Sequence, residues 1–167
     1  MDNPINWNMV AALAAVVAAF AAVVTAGVIV WQTQRTTHVQ ALMQLLSKWE
    51  SQGMQQTRAL AAGSILAKQP LGPYVDDVLD FFETVAIFSR RRYVDKKIIW
   101  HTFYWPMVCY WQKSKAYIRE AQEETGSETW KDYADLMPVL IRREADTPSA
   151  EAVESFFTEE TGRAESA

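Results

Sequence analysis

The stretch Lys96–Gln122, KKIIWHTFYWPMVCYWQKSKAYIREAQ, decides how the rest of the chain is read. Seven of the 18 residues from Trp100 to Tyr117 are aromatic. From Ile98 to Trp111 nearly every direction around a helix is apolar, and a helix that is hydrophobic all round belongs in an interior. We therefore expect the central helix of a bundle. Trp100, Phe103, Tyr104, Trp105, Tyr110 and Trp111 form either its aromatic core or an interface. The 14 residues Ile98–Trp111 are too few to span a bilayer, though long enough to dip into its surface. Pro106 must kink or split this helix unless it opens a second one.

Working upstream, Arg90-Arg91-Arg92-Tyr93-Val94-Asp95 reads as a short connection with Asp95 as N-cap. Before it, Tyr74–Arg90 places Val75, Val78, Leu79, Phe82, Val85 and Ala86 on one helical face and Asp76, Asp80 and Glu83 on the opposite edge. Gln69–Pro73, QPLGP, is the clearest break. Ahead of it stand a helix at Gln52–Lys68 with Ser51 as its cap, and an amphipathic helix at Val39–Glu50. Downstream, Thr125-Gly126-Ser127-Glu128 is a turn, and Glu128–Glu144 is a helix built on Trp130, Tyr133, Leu136, Met137 and Leu140 and bent by Pro138. Beyond Ala145 the chain is acidic. One or two amphipathic turns around Val153, Phe156 and Phe157 are expected there, and disorder elsewhere.

At the other end, Met9–Trp31 runs 23 residues without a charge, about 35 Å as a helix. Trp7 and Trp31 mark its ends as membrane-interface anchors. A secretory signal would need a basic start and a shorter apolar core, and residues 1–8 contain no Lys or Arg. Basic residues follow the stretch and none precede it, which places the N-terminus outside and the rest in the cytoplasm. Ala11, Ala15, Ala18, Ala22 and Ala26 form a small-residue stripe. It either packs against another transmembrane helix or merely lowers hydrophobicity. The expected class is thus all-α. Its parts are a short segment 1–8, a transmembrane helix 9–31, a polar connection 32–38, a bundle of about four to five helices over 39–145, and an acidic flexible tail 146–167. The expected location is the inner membrane, in single-pass form.

Charge is unevenly spread: residues 32–144 hold 15 basic against 13 acidic residues, and residues 145–167 carry −5. So balanced a middle gives no sign of nucleic acid as a partner. No phosphate loop or HExxH appears, and His38 and His101 lie 63 residues apart. The lone Cys109 excludes an intrachain disulfide and reads as a small buried hydrophobe. Asp76, Asp80 and Glu83 share a helix edge but lack the Glu-x-x-His of carboxylate metal centres. A solvated edge, with Glu83 pairing to one of Arg90–Arg92, is the simpler reading. We assign no catalytic residue, cofactor, metal or small-molecule substrate. Arg90, Arg91, Arg92, Lys96 and Lys97 are the strongest electrostatic feature. They make either a basic surface for a partner or anionic lipid, or an ordinary helix corner.

The segments ALMQLLSKWES, DFFETVAIFSRRRYVDKKIIW and TWKDYADL resemble a bacterial family catalogued only as a domain of unknown function, over roughly Ala41–Arg143. Trp49, Phe81, Phe82, Glu83, Arg91, Asp95, Tyr110, Trp111 and Trp130 carry the likeness. The resemblance implies a single-pass anchor before a small helical cytoplasmic domain, and brings no activity. Arg92-Tyr93 stands where a glycine turn is more usual for the family, so a different connection is expected there. The functional expectation is a membrane-anchored accessory or scaffold protein. Its partners would be membrane lipid and another membrane protein or a second copy of itself, and the alternative is a peripheral sensor of anionic lipid. An enzyme with an unfamiliar helical site ranks last.

Overall fold

The computed structural model describes residues 38–144 and 148–164, together with Thr25. The chain divides into two units, Met1–Gln40 and Ala41–Ala167, and the second contains the core described below. Trp7, Trp31 and the alanines at 11, 15, 18, 22 and 26 lie outside the described residues. Among the described residues, no helix is long and apolar enough to cross a membrane, which overturns the expected single-pass inner-membrane location. The physical reason is visible in the longest of them, whose apolar centre is bracketed by Lys96, Lys97 and Lys113 and whose C-terminal third is polar.

The described residues are helical throughout, with no strand. Helix α1 comprises residues 38–49, and α2 is Gln52–Leu66. Ser51 stops one and starts the other: its side-chain oxygen accepts from Met54 N at 3.3 Å. Helix α3, Pro73–Arg90, begins with proline in its first turn, where the missing N–H costs nothing. Asp95 caps α4, Lys96–Thr125, by accepting from Lys97 N at 2.6 Å. Pro106 lies inside this helix, which continues past it as one element. Helix α5 is Lys131–Ile141, three residues shorter at each end than expected, and contains Pro138.

The acidic tail departs most from expectation. Residues Ala150–Ala164 form a helix, α6, and Val153, Phe156 and Phe157 are buried in the core. It packs most extensively on α2. Small residues on that helix, Ala61 and Ala62, are fully buried and allow the close approach. The tail's composition is acidic, but its three large apolar side chains fall on one helical face and find a waiting surface.

One aromatic network runs through the core. Trp49 on α1 stacks on Phe81 of α3 at 5.0 Å, and Phe81 meets Phe103 of α4 edge-on at 5.7 Å. Phe82 contacts Tyr110 of α4 and Tyr133 of α5, at 5.6 and 5.4 Å, and Tyr110 meets Phe157 of α6 at 5.0 Å. Tyr133 donates its hydroxyl to the Met107 carbonyl at 2.6 Å. α4 therefore lies at the centre, as its composition implies.

Arg58 of α2 is buried in this core, with 1% of its side chain exposed. Its guanidinium lies 3.9 Å from the centre of the Trp49 ring and forms an ion pair with Glu160 of α6 at 3.1 Å. Neither Nε nor Nη1 has an aligned hydrogen-bond partner, so ring and carboxylate hold the charge mainly by proximity. Glu160→Ala leaves a buried cation unpaired and is expected to cost about 3–5 kcal/mol in urea unfolding. The double variant R58M/E160L should recover most of that loss. Phe157→Ala, which opens a cavity between α6 and α4, is expected to cost a further 3–5 kcal/mol or so.

Candidate functional site

The acidic edge of α3 was the first candidate for chemistry, and each of its carboxylates holds another helix in place. Tyr117 of α4 donates its hydroxyl to Asp76 Oδ1 at 2.8 Å, and Trp130 donates its indole N–H to Asp80 Oδ1 at 2.7 Å. Glu83 accepts from the backbone N–H groups of Asp132 and Tyr133, at 3.1 and 2.7 Å. Those are the second and third residues of α5, whose own N-cap residue, Trp130, is left-handed (φ 47°) and offers no capping side chain. The cap is supplied by a helix 50 residues earlier. The expected solvated edge with a Glu83–arginine pair is replaced by this clamp, and Arg90 pairs instead with Asp132 at 3.0 Å.

Cys109 is fully buried, and burial pushes its thiol up to about 12, so it stays protonated at neutral pH. His101 is exposed on α4, its ring centre 4.8 Å from that of Trp100. Among the described residues, no three His, Cys, Asp or Glu side chains are placed to hold a metal ion.

The basic run divides. Arg90 is tied to Asp132, whereas Arg91, Arg92, Lys96 and Lys97 are exposed and form no ion pair among the described residues. They surround a tight turn in which Arg92 is left-handed, φ 59°. The connection keeps the backbone shape that glycine adopts without strain, but with arginine in it. Tyr93 and Ile98 are 40% and 41% exposed beside these charges, while Val94 between them is buried. The aromatic set on α4 divides as well. Phe103, Tyr104 and Tyr110 are buried, Trp100 and Trp111 partly so, and Trp105 is 44% exposed.

Fold and side-chain placement define an all-helical domain closed by interhelical carboxylate contacts, with a basic corner left open between α3 and α4. The chain belongs to the DUF4760 family, a domain of unknown function, whose profile matches residues 8–137. This agrees with the resemblance to an uncharacterised family carried by the motifs. Helix α6 lies wholly beyond the matched span. No curated protein and no solved structure matches the chain.

Removing the carboxylate in Glu83→Ala strands two backbone donors at the start of α5. It should lower unfolding free energy by about 1–3 kcal/mol, and Glu83→Gln, which keeps one acceptor, by less. Burial raises both Glu83 and Glu160, against the opposing pull of the two N–H donors on one and Arg58 on the other. The folded chain then keeps protons on them at a pH where the unfolded chain, with ordinary carboxyls near 4.5, has released them. Unfolding free energy is therefore expected to fall as pH rises from about 4.5 through the raised values, and E160Q should flatten part of that slope.

Proposed function

We propose that this chain is an accessory or scaffold protein whose helical domain binds an acidic segment of a protein partner through the α3–α4 corner. One observation carries the reading: Arg91, Arg92, Lys96 and Lys97, with no ion pair among the described residues, surround an exposed tyrosine and isoleucine over the α3–α4 turn and the first turn of α4. Arginine and tyrosine are the residues that most often supply binding energy at protein interfaces. A patch of one sign speeds encounter with an oppositely charged surface and makes it sensitive to salt.

Arg92 adds a second argument. A left-handed non-glycine residue costs roughly 1–2 kcal/mol that glycine in the same place avoids. Arg92→Gly should therefore leave the domain as stable or more stable, by up to about 1 kcal/mol. A side chain kept in such a position is consistent with a role outside the fold.

A photo-crosslinking residue at Tyr93 in the full chain tests the reading. We expect an acidic protein to be captured, in a yield that falls with added salt. The charge reversal R91E/R92E/K96E/K97E, which keeps Arg90 and hence the Asp132 pair, should abolish capture without loss of helicity. Equal capture by the reversed variant overturns the proposal. Salt-sensitive binding to anionic vesicles with no protein crosslink would put a lipid surface in the partner's place.

A further inference from the structure

Trp100, His101, Thr102, Tyr104 and Trp105 line a cleft of about 600 Å³. Glu144, just past α5, and Pro148 and Ser149, just before α6, complete its described lining. This volume lies in the range of small-molecule sites. The ring centres of Trp100 and Tyr104 are 5.9 Å apart with planes inclined by 30°, and the exposed Trp105 belongs to the same wall.

The electrostatic character of this lining is one-sided. Among the described residues that line it, Glu144 is the only full charge, and no lysine or arginine takes part. Pro106 has no N–H to give the carbonyl four residues earlier, so the Thr102 carbonyl loses its helical donor within the cleft-lining segment. Aromatic faces, a carboxylate and a carbonyl without its helical donor all attract positive charge. The indole N–H of Trp100 and the hydroxyl of Tyr104 are buried, so the two residues offer the cleft their rings rather than their polar atoms.

We infer that this cleft binds a small organic cation of the quaternary-ammonium type. The aromatic faces, Glu144 and the Thr102 carbonyl take its charge. The site shares no residue with the α3–α4 corner and stands or falls separately from it.

Choline titrated into the full-length protein, followed by the indole N–H resonances in NMR, tests the inference. Its neutral isostere 3,3-dimethylbutan-1-ol isolates the charge. Choline should give saturable shifts with binding at least about ten-fold tighter than the isostere's. Trp105→Ala and Glu144→Gln, both changes at exposed side chains, should each weaken it by about the same factor while leaving the fold intact. Equal binding of choline and the isostere, shifts indifferent to both variants, or no saturable shift up to about 100 mM choline would each overturn the assignment. Binding of a lysine- or arginine-bearing peptide without choline binding would also overturn it, in favour of a peptide groove.

Discussion

The start of α5 cannot stand on its own residues, and the domain is arranged around that deficiency. A helix leaves its first N–H groups without intrahelical acceptors, and the residue before α5 is a left-handed tryptophan with no acceptor to offer. Glu83 fills the gap from α3 with both carboxylate oxygens. Because it must meet two particular N–H groups, the start of α5 is fixed against one turn of α3. Asp80 and Asp76, one and two turns earlier, then fall opposite Trp130 and Tyr117. The i, i+4, i+7 spacing works as a ruler between three helices. The apolar face of α3 makes the core, and its acidic edge decides how α4 and α5 lie against it.

A second fixed point couples the ends of the domain. Arg58 brings together the ring of Trp49 on α1 and the carboxylate of Glu160 on α6. Burying two charges is costly, and such a pair adds little net stability over apolar residues of the same volume. Its consequence is selectivity: α6 has one register on α2 that satisfies Arg58, and a slip along the helix leaves a cation buried alone. The helix that carries Glu160 lies beyond the span shared with the family, yet it completes the core around Tyr110.

Sequence reasoning reached what local chemistry determines. Ser51 and Asp95 as caps and the QPLGP break each follow from a few adjacent residues, and the structure has all of them; the apolar run of α4 was as legible, but one side of it, with Ile98 and Trp105, stays exposed. Pairings between distant segments were out of reach. Nothing near Glu83 indicates that an uncapped helix start lies 50 residues on, and Thr125-Gly126-Ser127-Glu128 suggests a local cap three residues before the true start. Arg58 carries no local sign of burial, because its partners come from α1 and α6. In the tail, the amphipathic turns around Val153, Phe156 and Phe157 were legible, but the helix runs on to Ala164 where acidic composition suggests disorder, because it packs on α2. The 23-residue apolar stretch gave the strongest local signal of all, and apart from Thr25 it lies outside the described residues.

These commitments also explain where the domain has chemistry to spare. Asp76, Asp80 and Glu83 of α3 are used within the fold, and so is Arg90, through Asp132. The neighbouring cations form no ion pair among the described residues, and Asp95, the cap of α4, is the one carboxylate in the run Arg91–Lys97, so the α3–α4 corner keeps a net positive charge. On α4, Phe103 and Tyr110 are drawn inward by Trp49, the phenylalanines of α3 and Phe157. A helix aromatic on every side cannot bury every ring in one core. The turn from Trp100 to Trp105 therefore presents its remaining rings sideways, next to a proline that frees a carbonyl and a glutamate from the end of α5. The same excess of aromatic residues that makes α4 the centre of the bundle thus also creates the cleft beside it. Neither feature needs any catalytic group, and both follow from the fold meeting its own demands first.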